Sequence, residues 1–176
     1  VWSDRVRARA AGAHADHWLS ECLGRAVRLA WFPDDVRRAV DTRYAHSGEK
    51  VGFADGFPFL LISQASLDDL NSRLEHPLSM ERFRPNLVVE GCGPFAEDSW
   101  RRLRIGKLEF EVAKSCARCV VPSIDQATGE KDSEILRVLA GFRRGPDRQT
   151  YFGQNLLYRE LGTLRIGDAV EVLDQH

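Results

Sequence analysis

Residues 103–112 read Leu-Arg-Ile-Gly-Lys-Leu-Glu-Phe-Glu-Val, and this stretch contains the pattern that decides the fold class. Apolar residues alternate with polar ones on both sides of Gly106, which is typical of two strands joined by a tight glycine turn. Residues 164–172 repeat the arrangement as Leu-Arg-Ile-Gly-Asp-Ala-Val-Glu-Val. Each stretch predicts a strand, a turn and a second strand, the building unit of a β-barrel or meander. We interpret the repetition as reuse of a stable hairpin.

The segments around these two stretches add further strands and three helices. Helical spacing of apolar residues predicts three helices. The first covers residues 13–23 and ends at Gly24, the second begins at Ser66, and the third begins near Ser133. Ser66 is expected to cap the second helix, with Asp69 three residues later. The apolar runs 26–32, 57–62 and 87–89 predict strands, and residues 34–55 predict a long loop. We therefore expect an α+β fold, with a β-barrel core of mostly antiparallel strands and about three peripheral helices.

Composition excludes several classes of partner. The chain has 25 basic and 26 acidic side chains and a net charge of −1, which argues against a nucleic-acid partner. We find no apolar run near the ~20 residues that a membrane helix needs. Four cysteines in 176 residues do not resemble a disulfide framework, so we expect a reducing, cytoplasmic setting. Because the chain begins with Val1, we also expect it to be part of a longer protein whose targeting segment is not assessable.

The segment Cys116-Ala117-Arg118-Cys119 is the most conspicuous candidate for chemistry, and four interpretations are open. It could supply half of a zinc site, although a closed zinc site needs about four ligands. It could be a dithiol redox pair, although such pairs usually lie where a strand enters a helix. One cysteine could be a thiolate ligand or nucleophile, which the nearby charges of Lys114 and Arg118 would favour. Finally, both cysteines could be structural.

Four separated segments favour the thiolate ligand, because together they resemble the MOSC domains of the mitochondrial amidoxime-reducing component and its bacterial relatives. The segments are Ala54-Asp55-Gly56-Phe57-Pro58-Phe59 leading to Ser63, Arg82-Phe83-Arg84-Pro85-Asn86-Leu87-Val88-Val89, Cys116-Ala117-Arg118-Cys119 continuing to Thr128-Gly129, and Phe152-Gly153-Gln154-Asn155. Each motif alone is weak, but their order and spacing match the family. The resemblance implies a MOSC domain over residues 50–176. It implies that residues 1–49 are a linker following an N-terminal MOSC barrel absent from this chain.

The resemblance also implies a site for the molybdenum cofactor, Mo-molybdopterin. Cys119 would be the protein's ligand to molybdenum and the catalytic residue, with Cys116 a neighbour rather than a second ligand. A metal held by the two sulfurs of a pterin dithiolene favours a further soft thiolate. Arg84 would bind the cofactor phosphate, because a guanidinium presents a planar fork to an oxyanion. The other polar contacts to the cofactor would come from Ser63, Asn86, Arg118 and Asn155.

Each of these polar residues also has an ordinary structural interpretation. Arg84 could be an exposed strand-edge residue, Asn86 could cap a turn, and Arg118 could hold its loop. Ser63 and Asn155 could be polar residues at strand ends. We interpret Asp55 and Asp125 as backbone-bonding turn residues rather than acid–base groups.

The function implied by the resemblance is that of a molybdenum oxidoreductase acting on small N-hydroxylated compounds such as amidoximes, N-oxides and hydroxylamines. The sequence has no glycine-rich dinucleotide motif and no iron–sulfur cysteine spacing. An external donor, either a ferredoxin-like protein or a cytochrome or flavin reductase, would therefore supply electrons. Further cofactor-binding residues of the family lie in the absent N-terminal barrel, so this chain alone is expected to hold the cofactor loosely or to be inactive.

Two alternatives from other classes remain open at this point. The first is a sulfur-carrier or cofactor-carrier module that uses Cys119 as a persulfide or thiolate. The second is a non-catalytic interaction domain, in which replacing Cys119 would change neither metal content nor activity.

Overall fold

The structure is a computed structural model that describes residues 1, 4–45 and 48–176. These residues form two compact units, Val1–Gly56 and Phe57–His176. No helix in the described ranges is long and apolar enough to cross a membrane.

The first unit is small and contains a two-stranded sheet and one helix. Strand β1 (Arg9–Ala10) pairs antiparallel with β2 (Ala30–Trp31), and α1 (Ala13–Leu23) connects them. The predicted helix and its stop are confirmed, because Gly24 ends α1 with a φ of 63°. The strand predicted over 26–32 is only two residues long. The predicted loop over 34–55 is irregular where it is described, but its residues 46 and 47 lie outside the described residues.

The second unit is a six-stranded sheet with the helices on it, which confirms the predicted α+β class. Its strands are β3 (Phe59–Ser63), β4 (Leu87–Val89), β5 (Trp100–Ile105), β6 (Leu108–Ala117), β7 (Tyr151–Tyr158) and β8 (Val170–Gln175). They lie in the order β4-β3-β7-β6-β5-β8, and the sheet curls into a half-barrel. The β3–β4 pair is parallel, and the other four pairs are antiparallel. The β5–β6 hairpin forms as the glycine turn at Gly106 predicts.

Two apolar clusters hold this sheet, one on each side of β3. Leu61 belongs to a cluster that includes Trp100 and Phe110. The adjacent Ile62 belongs to a second cluster, formed with the helices α2 (Gln64–Asn71) and α3 (Glu134–Arg143). Successive residues of a strand point to opposite faces, so β3 is covered on both sides. The central strands are thereby fixed, and the candidate site is built on them.

Two local predictions are wrong. The cap of α2 is Ser63 rather than Ser66, because the Ser63 hydroxyl accepts a hydrogen bond from the Ser66 backbone N–H at 3.1 Å. Of the second predicted hairpin only β8 is a strand. The Asp168 carboxylate accepts a hydrogen bond from the Arg165 backbone N–H at 2.8 Å, and this turn replaces the ladder that a strand would need. Ile166 is fully exposed there.

Candidate functional site

The Cys-Ala-Arg-Cys segment lies at the end of β6, where the chain leaves the sheet. Cys116 is the penultimate residue of the strand and is half-buried, whereas Cys119 lies beyond its end and is exposed. The register between β6 and β7 shifts between Ser115 and Ala117, which indicates a β-bulge at this end. Bulges of this kind redirect the side chains that follow them. Cys119 therefore presents its thiol outside the sheet.

Arg118 connects this segment to residues 80–86. Its Nη2 donates to the Phe83 carbonyl oxygen at 2.8 Å, and its Nη1 donates to Cys116 Sγ at 3.3 Å. The guanidinium also lies 5.4 Å from the centre of the Phe83 ring, which is within the range of a cation–π contact. The Nε atom is buried, and no described residue offers it an acceptor. Arg118 thus holds the loop, and its Nε is a buried donor without an acceptor.

Two further contacts join the same two parts of the chain. Arg82 Nη2 contacts Asp125 Oδ2 at 2.7 Å, and Gln126 Nε2 donates to the Glu81 carbonyl oxygen at 2.8 Å. With the Arg118 bond to the Phe83 carbonyl, they form three links that we call the clamp. The clamp fixes the 3₁₀ helix Met80–Phe83 against the loop that carries Cys119.

Asp125 is a turn residue, as the sequence predicts. Its Oδ1 accepts hydrogen bonds from the backbone N–H groups of Ala127 and Thr128, at 2.8 and 3.0 Å. These two backbone bonds, Thr128 first, lower the pKa of the Asp125 carboxyl, and the positive charge of Arg82 lowers it further. A carboxylate whose two oxygens are both engaged in this way is not free to act as an acid–base group.

Arg84 directly follows the clamped helix in an unusual backbone conformation. Its φ is 54°, in the left-handed region that costs a non-glycine residue roughly 1–2 kcal/mol. The exposed guanidinium makes no hydrogen bond or ion pair with another described residue. It lines an open pocket of about 510 Å³, whose other lining residues are Met80, Glu81, Pro85, Val88 and Gln126. Arg84 is therefore a free cation in an open pocket.

Asn86, directly before β4, and Asn155, on β7, lie in one row across the sheet. The backbone N–H of Asn86 donates to the Leu60 carbonyl oxygen at 2.9 Å, and the Asn86 carboxamide oxygen accepts from the Leu60 N–H at 2.8 Å. Asn155 is paired with Leu60 on one side and with Lys114 on the other. Asn86 is thus occupied at the sheet edge. The Asn155 carboxamide has no partner among the described residues.

Ser63 is fully buried and belongs to a separate polar network. Its hydroxyl caps α2, and its backbone N–H donates to Glu97 Oε1 at 3.0 Å. Ser66 Oγ donates to the same carboxylate oxygen at 2.7 Å. Through the clamp, the structure therefore connects Arg118 and the loop of Cys119 to the 3₁₀ helix that directly precedes Arg84. It gives Ser63 an internal capping role.

The sequence reasoning missed Arg82 and Gln126, the partners that complete the clamp. Arg82 meets Asp125 across 43 residues, and no local spacing pattern signals such a pair. The only sequence signal was indirect: Arg82 opens one of the four segments that carry the family resemblance.

The site offers an exposed thiol at Cys119, the guanidinium of Arg118 one residue before it, and the unpartnered guanidinium of Arg84 after the clamped helix. In the described part of the chain, no group of three or more His, Cys, Asp or Glu side chains could hold a metal ion. Arg84 offers a forked cation for an anionic group of a cofactor.

Comparisons with known proteins agree with this architecture. The family model described as MOSC domain matches residues 48–171. The chain is 36% identical to mitochondrial amidoxime-reducing component 1 of Mus musculus and 34% identical to that of Homo sapiens, in each case over 97% of this chain and 54% of the relative. It is 34% identical to mitochondrial amidoxime reducing component 2 of Macaca fascicularis, over 94% of this chain and 53% of the relative. The chain thus spans about half the length of these relatives.

Proposed function

This chain belongs to the MOSC domain family, and from that premise we propose that it binds a molybdenum–pterin cofactor through Cys119 and serves in the reduction of N-hydroxylated compounds. The observation that carries the proposal is the clamp, which holds the 3₁₀ helix directly before Arg84 against the loop that carries Cys119. The printed names of the relatives, amidoxime-reducing components, support the class of reaction.

The residues present fit such a cofactor. Cys119 offers the soft thiolate that complements dithiolene sulfurs, and the unpartnered guanidinium of Arg84 suits a phosphate. Asn155 has a free carboxamide for a hydrogen-bonding pterin edge, and the buried Nε of Arg118 is a donor that still needs an acceptor. When bound, the cofactor would supply the two electrons that reduce the N–O bond of the substrate. Ser63 and Asn86 would support the site through the sheet, because their polar groups have internal partners.

The protein's own contribution would be positioning and exclusion of water. Arg84 and Arg118 would orient the cofactor by charge, and the clamp would keep both guanidinium groups in place during turnover. Met80, Pro85 and Val88 give the pocket beside Arg84 an apolar wall, and Val88 is 47% exposed there. We assign this wall to the apolar body of the substrate. Electrons would come from a separate redox protein, a ferredoxin-like protein or a cytochrome or flavin reductase.

The experiment that tests the proposal measures benzamidoxime reduction by the full-length protein that contains this domain, produced in a host that makes the cofactor. Reduced methyl viologen serves as the electron donor, and benzamidine is quantified by chromatography. The reaction consumes two electrons and two protons and releases benzamidine and water. We expect turnover by the wild type and by Cys116→Ser, and none by Cys119→Ser. A wild-type protein that carries molybdenum but forms no benzamidine would contradict the proposed reaction.

A further inference from the structure

We propose that Arg82 and Asp125 are a positioning pair for anion binding at Arg84, which they hold in its left-handed conformation toward the pocket. The inference rests on the proposed function, in which Arg84 binds the phosphate of the cofactor. Neither residue need touch the anion, because the pair acts through the backbone of the 3₁₀ helix Met80–Phe83.

The geometry of the pair supports this role. Arg82 lies two residues before Arg84, and its guanidinium meets the Asp125 carboxylate at 2.7 Å. The Arg82 side chain is only 14% exposed and that of Asp125 is 36% exposed, so solvent screens this pair less than most surface ion pairs. The contact therefore ties the backbone two residues before Arg84 to Asp125, which lies 43 residues from Arg82 in the sequence.

Asp125 connects its own hydrogen-bonded turn to the 3₁₀ helix Met80–Phe83. One carboxylate oxygen binds the N–H groups of Ala127 and Thr128, while the other binds Arg82. The neighbouring Gln126 binds the Glu81 carbonyl oxygen and lines the same pocket as Arg84. A 3₁₀ helix of four residues has little stability of its own, so these outside contacts determine where it lies.

The backbone of Arg84 shows why such contacts are needed. A non-glycine residue with a φ of 54° persists only when the surrounding structure holds it there. Its backbone N–H donates to the Glu81 carbonyl oxygen at 3.1 Å, the same oxygen that Gln126 binds. Without the Arg82–Asp125 pair, Arg84 would relax to a commoner conformation and its guanidinium would leave the pocket.

The test measures the affinity of the metal-free chain for inorganic phosphate. Binding is monitored by the NMR shifts of the backbone amides of residues 82–86. Asp125→Asn keeps the side-chain shape and the turn bonds to Oδ1 but removes the charge that binds Arg82. We expect it to weaken phosphate binding about two- to tenfold, the range for loss of one net hydrogen bond. Arg82→Lys, which keeps the ion pair, should retain most of the affinity. Arg84→Ala should abolish binding at these amides.

Asp69→Asn is the matched control, because it breaks the Arg73–Asp69 pair of 2.9 Å in the same unit, away from the pocket. Both Asp→Asn variants should lower the free energy of unfolding, but only Asp125→Asn should weaken phosphate binding. Wild-type affinity in Asp125→Asn together with loss in Arg84→Ala would overturn the positioning role and leave the role of Arg84 intact. Wild-type affinity in Arg84→Ala would overturn the assignment of the phosphate to Arg84, and this inference with it.

Discussion

Arg118→Lys separates the structural role of Arg118 from its role toward the cofactor. The substitution keeps a positive charge and a long aliphatic stem but removes the planar fork. A lysine can reach the Phe83 carbonyl oxygen or the Cys116 sulfur as a single donor, and it has no atom equivalent to the buried Nε. The variant therefore tests whether that unused donor belongs to the fold or to a bound ligand.

In the metal-free chain, the stabilising contacts that Arg118→Lys removes nearly balance the cost of the buried Nε that it also removes. A hydrogen bond from a charged group, such as the 2.8 Å bond to the Phe83 carbonyl, contributes about 1.5–3 kcal/mol. The cation–π contact with the Phe83 ring adds about 0.5–1 kcal/mol, part of which lysine retains. Against these terms, a buried donor without an acceptor costs about 1–3 kcal/mol, and the substitution removes it. We expect Arg118→Lys to lower the free energy of unfolding by only about 1 kcal/mol.

The assay combines urea unfolding of the metal-free chain with the molybdenum content of the full-length protein purified from a host that makes the cofactor. We expect near-normal stability and a several-fold loss of molybdenum. Arg73→Lys is the matched control, because Arg73, just after α2, pairs with Asp69 of α2 and lies 4.3 Å from the centre of the Phe142 ring of α3. A loss of more than about 3 kcal/mol in the metal-free chain would show that Arg118 is needed chiefly for the fold, and unchanged molybdenum content would show that its Nε does not serve the cofactor.

Three shorter predictions test the sheet and the turn around the site. Gly153→Ala should destabilise the chain by about 1–3 kcal/mol in urea unfolding, because φ is +82° there and the added Cβ would lie 2.8 Å from the Leu61 carbonyl oxygen; wild-type stability would contradict this. Asn86→Ala should leave the Leu60 N–H without its side-chain acceptor and increase its hydrogen exchange; unchanged protection would show that the bond is unimportant. The lowered pKa of Asp125 means that its carboxylate stabilises the fold above its usual pKa of 3.8, and this contribution is lost as the pH falls through the lower folded-state pKa. Asp125→Asn and wild type should therefore differ in stability at neutral pH and converge in acid, and a constant difference would contradict the assignment.

The parts of the fold that local patterns determine were predicted from the sequence. Alternation on both sides of Gly106 predicts the β5–β6 hairpin, and both strands form with that turn between them. The helix α1 and its glycine stop are also local features. The α2 cap was placed three residues late because Ser63 and Ser66 are chemically alike, and the partner that engages both, Glu97, is 34 residues from Ser63.

In the candidate site, too, short motifs could be predicted from the sequence, whereas contacts between distant residues could not. Arg84, Arg118 and Cys119 could be selected because they lie within short motifs whose order resembles a family. Arg82 could not be given its role, because only the folded chain brings it to Asp125. The second hairpin failed for a local reason: the Asp168 carboxylate binds the Arg165 N–H and makes a turn where alternation predicted a strand.

That Cys119 is the protein's ligand to molybdenum is tested most directly by the metal and sulfur content of the full-length protein that contains this domain and of two cysteine variants of it. Wild type, Cys119→Ser and Cys116→Ser are purified from a host that makes the cofactor, and molybdenum is measured by mass spectrometry. We predict about one molybdenum per protein in wild type and Cys116→Ser and almost none in Cys119→Ser, because Cys119 is exposed, whereas Cys116 is half-buried and accepts a hydrogen bond from Arg118. Molybdenum retained in Cys119→Ser, or a wild type with cyanide-labile sulfur on Cys119 and no molybdenum, would contradict the account.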